Sequence, residues 1–267
     1  MNDLHAPSAV LVGIDGSQAA LGAALWAVDE AVSRNVPLRL LYAVKVLDVP
    51  AHVYAQSVEK AKSALHAAEN AVHATGKPVT VQTEILDGPP GAVLVEESEG
   101  AEMICVASVG IGRYARSILG STAAELAENA HCPVAVIRPP DPHAQAHVSW
   151  ILVAIDDKPG HTAVVQRAME EARLRGTPVL ALGTEPTAVA GDALAAEVDK
   201  WQSRFPDVHI YPIADRADVA DFLRKHDEPV ELAVIDASDA GDLAEIIGPR
   251  GHRVFAHPVA SALVVRS

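Results

Sequence analysis

The residues of this chain best suited to chemistry lie at 106–139, VASVGIGRYARSILGSTAAELAENAHCPVAVIRP. Gly110, Gly112 and Gly120, the arginines Arg113 and Arg116, and a Gly-Ser-Thr step at 120–122 are set between two apolar runs. Glycine lets backbone N–H groups approach a phosphate oxygen where a Cβ would obstruct. The Gly-Ser-Thr step reads as the start of a helix, whose free N–H groups and positive dipole end suit an anion. Ser121 and Thr122 add hydroxyl donors, and the arginines either supply charge or lie solvated. The same residues fit a plainer role, in which the glycines permit turns and Ser121 caps a helix. Two other phosphate motifs are absent: no Gly-Lys-Ser/Thr closes the loop, and no Gly-x-Gly-x-x-Gly follows the first strand.

Such a loop needs a strand before it and a helix after it, and the chain supplies that framework twice. VLVGIDGSQAALGAALWAVDEAVSRNVPLRLLYA, from Val10, aligns without a gap on ILVAIDDKPGHTAVVQRAMEEARLRGTPVLALGT, from Ile151. Leu11/Leu152, Val12/Val153, Ile14/Ile155, Asp15/Asp156, Ala27/Ala168, Glu30/Glu171, Ala31/Ala172, Arg34/Arg175, Pro37/Pro178 and Leu41/Leu182 coincide. Each copy reads as strand, turn, amphipathic helix, Pro-containing loop and second strand, a βαβ unit with parallel strands and a right-handed crossover.

The alternation continues with a helix through SVEKAKSALHAAENAVHATG that stops at Gly76, a strand in VTVQTEIL, a short helix in GAVLVEESEG and a buried strand in EMICVA. A helix opens at GSTAAELAENA, and PVAVIRP closes the half as its last strand. The second half repeats the order through GDALAAEVDKWQSRF, DVHIYPIA, ADVADFLRKH, ELAVIDA and SALVVRS. The expected fold is α/β: two tandem doubly wound domains, each a five-stranded parallel sheet with helices on both faces, Rossmann-like in type. Domain 1 is expected at 1–140, a linker at 141–148 and domain 2 at 149–267. A chain of 267 residues, 49% of them apolar, suits two domains of about 130 residues each.

Composition narrows the function classes. A net charge of −14 and a pI near 5.2 oppose binding to a nucleic-acid backbone. No run approaches the roughly 20 apolar residues of a membrane span, and MNDLHAPSAV lacks a basic segment followed by an apolar one, so the chain reads as cytoplasmic. Cys105 and Cys132 lie in apolar strand-like runs and read as buried thiols. His143 and His147 are spaced like ligands on a helix but fall in the linker, so no metal site is expected. No Ser-His-Asp set can be assembled, Gly-x-Ser-x-Gly is missing and the loop holds no lysine. A dedicated enzyme is therefore not indicated.

In an open parallel sheet a ligand sits at the carboxyl ends of the strands, where strand order reverses. Three segments of the first half should meet there: GIDGS at 13–17, YAVKV at 42–46 and the loop after the fourth strand. The spacing Gly110, nine residues, Gly120, Ser121, together with VGIDGS and the closing HCPVAVI, resembles the universal stress protein family and its adenine nucleotide hydrolase-like fold. ATP-binding members carry Gly, two residues, Gly, nine residues, Gly, then Ser or Thr. The last two glycines and the serine match, and Ala107 stands at the first glycine. The resemblance covers the whole chain as a tandem of two such domains, an arrangement familiar among actinobacterial members.

The resemblance implies ATP, accompanied by Mg2+, in the first domain. Gly13, Ile14 and Asp15 would line adenine and ribose, with Val44 beside the base. Ala107, Gly110, Gly120, Ser121 and Thr122 would hold ribose and phosphates. Asp15 is either an acceptor for ribose or base donors, a magnesium ligand through water, or simply the N-cap of the first helix. The implied function is a binding-linked regulator in the stress response, hydrolysing ATP slowly at most, in which nucleotide orders the loop 108–120 and alters the surface shown to partners. Family members dimerise through their closing strands, so a homodimer is one expectation, and internal pairing of 133–138 with 261–266 is the other. The competing reading is a scaffold of the same fold that binds no nucleotide. Adenylate-forming and amidating enzymes need a Ser-Gly-Gly-x-Asp-Ser loop that GIDGSQ lacks. A phosphoacceptor receiver needs clustered acids before Asp15 and a lysine after the last strand.

The second half has a different loop. Setting Gly248 on Gly120 places Ser238 at Gly110, Ile235 at Ala107 and Pro249 at Ser121. Proline has no N–H to offer an anion. Asp236, Asp239 and Asp242 would repel a triphosphate unless a cation intervened, and they form either a cation site or an ordinary solvated loop. The expectation is a domain that keeps the fold without nucleotide and serves packing, regulation or a protein partner.

Overall fold

A computed structural model describes residues 8–45, 50–110, 119–139, 149–155, 161–183, 188–214, 218–248 and 260–266. Strands of the first half are β1 (Val10–Gly13), β2 (Leu38–Val44), β3 (Val81–Asp87), β4 (Met103–Ala107) and β5 (Val134–Ile137). They pair in the order β3-β2-β1-β4-β5, and every described pairing is parallel. Residues 10–12 of β1 and 103–106 of β4 are buried, as unbroken apolar runs in the middle of a helix-covered parallel sheet should be. β3 lies at the edge, and there the burial gives way to exposed polar residues.

The second half repeats this plan with β6 (Trp150–Ile155), β7 (Val179–Gly183), β8 (Ile210–Ile213), β9 (Val230–Asp236) and β10 (Ser261–Val265). Their order is β10-β9-β6-β7-β8, again parallel throughout the described pairings. Pro212 sits in edge strand β8, where its missing N–H costs no ladder bond on a central strand. The chain divides into two compact units, Met1–Pro139 and Pro140–Ser267. The fold is α/β, with parallel sheets flanked by helices. The expected linker at 141–148, with His143 and His147, lies outside the described residues, and so do the residues after β2 at 46–49.

Local chemistry explains where the helices begin and end. α1 (Gln18–Arg34) starts at Ser17, whose Oγ accepts from Ala20 N at 3.0 Å, and ends at Asn35 in the left-handed region. α2 (Ala51–Ala74) starts directly after Pro50, earlier than the SVEKAK stretch suggests, and stops before Gly76. α3 (Pro90–Glu97) has proline at its first position. α4 (Ser121–Asn129) has Gly120, not Ser121, at its N-cap, so the capping role considered for Ser121 is corrected.

In the second unit α5 (His161–Arg175) and α6 (Ala188–Arg204) precede α7 (Val219–Lys225), which Asp218 caps. The repeat identities at 30, 34, 171 and 175 are ion pairs. Buried Glu30 meets Arg34 at 2.6 Å, and buried Glu171 meets Arg175 at 3.0 Å, each one helical turn apart. Both cysteines are buried, and no described helix is long and apolar enough to cross a membrane.

Candidate functional site

From β1 the chain builds outward to β2 and β3 on one side, then crosses to β4 and β5 on the other. The carboxyl ends of β1 and β4 therefore bound the crevice where strand order reverses. At the end of β1, a Cβ on Gly13 would lie 3.1 Å from side-chain atoms of both Leu94 and Val106. Ile14 follows, buried, its N–H donating to Leu41 O at 2.8 Å. Asp15 Oδ1 accepts from Ser17 N at 2.9 Å, and Ser17 in turn caps α1. The cap thus belongs to Ser17, and Asp15 braces the turn instead of closing the helix.

The second oxygen of Asp15 points across the reversal point. A Cβ on Gly110 would stand 2.6 Å from Asp15 Oδ2, so the backbone at Gly110 approaches the carboxylate as only glycine can without displacing it. Two residues 95 positions apart in sequence are thereby brought into contact. The loop is drawn together at its base. Ser108 N donates to Ile137 O at 2.8 Å, while Ser108 O accepts from Gly120 N at 2.7 Å. A Cβ on Gly120 would lie 3.4 Å from Ser108 O and 3.9 Å from Gly110 N, so the two loop glycines are neighbours. The loop interior at 111–118, with Gly112, Arg113 and Arg116, lies outside the described residues.

α4 opens beside them. The first bond of its ladder runs from Ala124 N to Gly120 O at 3.0 Å, which leaves the N–H groups of Ser121, Thr122 and Ala123 without intrahelical acceptors. Glycine at the N-cap has no side chain to satisfy them. Ser121 is exposed and Thr122 partly so. Ala107 ends β4 in register with Ile137, on the face that Cys105 shares with Val12. Val44 lies on the opposite flank at the end of β2, side chain buried and carbonyl accepting from Gly88 N at 2.8 Å.

Two residues at this end of the sheet escape the motif reading. Ser108 is buried and ties both arms of the loop. Its signal in the sequence is a small polar residue placed directly after a buried strand. Tyr42, on the same face of β2 as Val44, has its hydroxyl pKa pushed above 10.0, first by burial and second by the charge of Asp15. It is the one aromatic in LRLLYAV. Farther along the rim, Tyr54 of α2 donates to Asp87 Oδ1 at 2.9 Å.

The equivalent place in the second unit is arranged otherwise. Asp236 ends β9, and its Oδ1 accepts from Ser238 N at 2.8 Å, capping a 3-10 helix over Ala237–Asp242. A short helix, α8 (Leu243–Ile247), follows without a break. Gly248, set against Gly120 by sequence, ends α8 with φ 68°, whereas Gly120 begins α4; the residues after Gly248, 249–259, lie outside the described residues. His161, at the repeat position of Ala20, reaches back with Nε2 onto Ala154 O at the end of β6. Among the described residues no three His, Cys, Asp or Glu side chains gather as a metal site. Asp156 and Pro249 lie outside the described residues.

The first unit is thus a doubly wound α/β sheet with a glycine-bearing loop leaving β4 at the strand-order reversal. The sequence profile described as the Universal stress protein family matches residues 8–138. A universal stress protein of Mycobacterium tuberculosis (strain ATCC 25618 / H37Rv) is 50% identical over 260 residues, 96% of each chain. Another from that strain is 37% identical over 274 residues, 99% of this chain and 98% of its own. Among solved structures, a universal stress protein from Archaeoglobus fulgidus DSM 4304 superposes with a TM-score of 0.72 over 97% of this chain and 96% of its own, at 13% identity, a likeness of fold. The chain belongs to the universal stress protein family.

Proposed function

We propose that the first unit binds one adenine nucleotide, ATP with its Mg2+, and that the protein acts as a binding-linked regulator. The observation that carries this reading is the meeting of Asp15 and Gly110 across the strand-order reversal, beside the open first turn of α4. Gly13, Ile14 and Val44 wall the adenosine end. Asp15, already oriented by Ser17 N, accepts from a ribose hydroxyl. Gly110 and Gly120 let backbone reach the phosphates, and the N–H groups and hydroxyls of Ser121 and Thr122 receive them. Ala107 stands where the family motif has its first glycine and contributes one methyl group to that wall. Nucleotide engages both arms of the loop that Ser108 ties, so binding and loop order are linked. The second unit, whose crevice carries its own side chains and a helix, serves packing or a protein partner.

Extraction and chromatography of the purified full chain test this directly. The expected result is co-purified adenine nucleotide, or a calorimetric signal with millimolar ATP and magnesium. A chain that carries no nucleotide and gives no signal is a scaffold, and the proposal fails.

A further inference from the structure

Helix α4, which presents Ser121 and Thr122, is seated by a contact outside the binding residues named above. Gly91 is the second residue of α3 and is buried. A Cβ built on it would fall on the carboxylate of Glu125, one helical turn along α4 from Ser121. Gly91 is thus a notch, and Glu125 fills it where α3 and α4 pack together. The charge has a reason to be there. α3 has prolines at its N-cap and first position and no acidic residue in its first turn. A carboxylate lent by α4 supplies the negative charge that the positive end of a helix favours.

The same short helix touches the other end of the crevice. It begins two residues after Gly88, whose N–H donates to Val44 O at 2.8 Å. Its Leu94 packs against Gly13, 3.1 Å from where a Cβ would stand. We infer that Glu125 is a positioning residue: by seating in the Gly91 notch it sets the first turn of α4 against the crevice, and so governs affinity for the phosphates but not for the adenosine. This rests on the nucleotide-binding reading of the first unit.

The test compares ATP with adenosine by calorimetry on the full chain and four variants: Glu125→Ala, Glu125→Gln, Gly91→Ala and the Gly91→Ala/Glu125→Ala double variant. Glu125→Ala should weaken ATP roughly tenfold while adenosine stays within about twofold. Glu125→Gln, which keeps the shape, should recover most of that loss. Gly91→Ala should match Glu125→Ala, because the carboxylate is the far end of a flexible side chain and simply swings out. The double variant should then be no worse than either single one, since both remove one contact. Equal weakening of ATP and adenosine, an unmoved ATP affinity, or additive losses would each overturn the inference. If Glu125→Ala fails to fold, the ratio in Gly91→Ala decides by the same criterion. A wild-type chain that binds neither ligand removes the nucleotide reading and this inference with it. Wild-type binding with an unmoved ATP-to-adenosine ratio in the variants removes only this inference.

Discussion

The two units of this chain share a strand order and a buried ion pair, yet they differ at the place where such folds hold ligands. In the first, β4 runs into a loop pinched by Ser108 and Gly120, and the next helix starts with free N–H groups. In the second, β9 runs straight into a 3-10 helix that Asp236 caps, so Ser238 N is already bonded. Asp15 and Asp236 perform the same local act, each accepting from a backbone N–H two residues on. What differs is the remainder of the crevice. In the first, the Gly110 backbone packs against the Asp15 carboxylate, whereas in the second His161 lies over the end of β6. Core packing therefore tolerates different arrangements at the strand ends of one fold.

The largest difference should come from a charge placed at matched loop positions. Gly110→Asp sets a second carboxylate against Asp15 and the incoming phosphates, and like charges juxtaposed cost several kcal/mol. ATP binding measured by calorimetry should vanish. Ser238→Asp in the second unit should leave it unchanged, and equal effects from the two would show that the wrong unit was chosen.

The shared feature should behave alike in both units. Removing one partner of a buried pair leaves a charge uncompensated, so Glu30→Ala and Glu171→Ala should each destabilise by about 3 kcal/mol in denaturant unfolding. A loss confined to one of them would mean that the repeat pair is structural in that unit alone. A smaller effect is expected from Asp15→Asn, which keeps the shape but weakens one hydrogen bond to a charged group, for roughly a tenfold loss of ATP affinity. An unchanged affinity would show that Asp15 only braces its turn.

The smallest effect is a pH dependence specific to the first unit. Because the fold raises the Tyr42 pKa above 10.0, it favours the neutral phenol. That stabilisation is complete below pH 10 and is lost as pH rises through the folded value, since the unfolded chain ionises first. Stability of the wild type should fall faster above about pH 10 than that of Tyr42→Phe. Asp15→Asn should reduce the difference, its charge being the second cause of the shift. A phenol signal that ignores Asp15→Asn would separate the two residues.

Much of the fold could be read in advance, because unbroken apolar strands alternating with amphipathic helices leave few topologies and the repeat supplies the boundaries twice. The gathering of Asp15 with Gly110 followed from the reversal rule applied to GIDGS and the glycine loop. Other features were hidden for physical reasons. Gly91 and Glu125 meet between helices, and neither periodicity nor motif spacing encodes which glycine becomes a notch. Gly120 and Gly248 look alike in sequence, but one opens a helix and the other ends one, a difference set by the residues around them. Tyr42 read as one more strand residue until burial and the charge of Asp15 were seen together.

Stoichiometry tests the central claim most directly. Calorimetric titration of the full chain with ATP and magnesium should give one equivalent bound per chain, held by the first unit. Two equivalents would show that the second unit kept its site, and none would show that neither unit has one; either result contradicts the account.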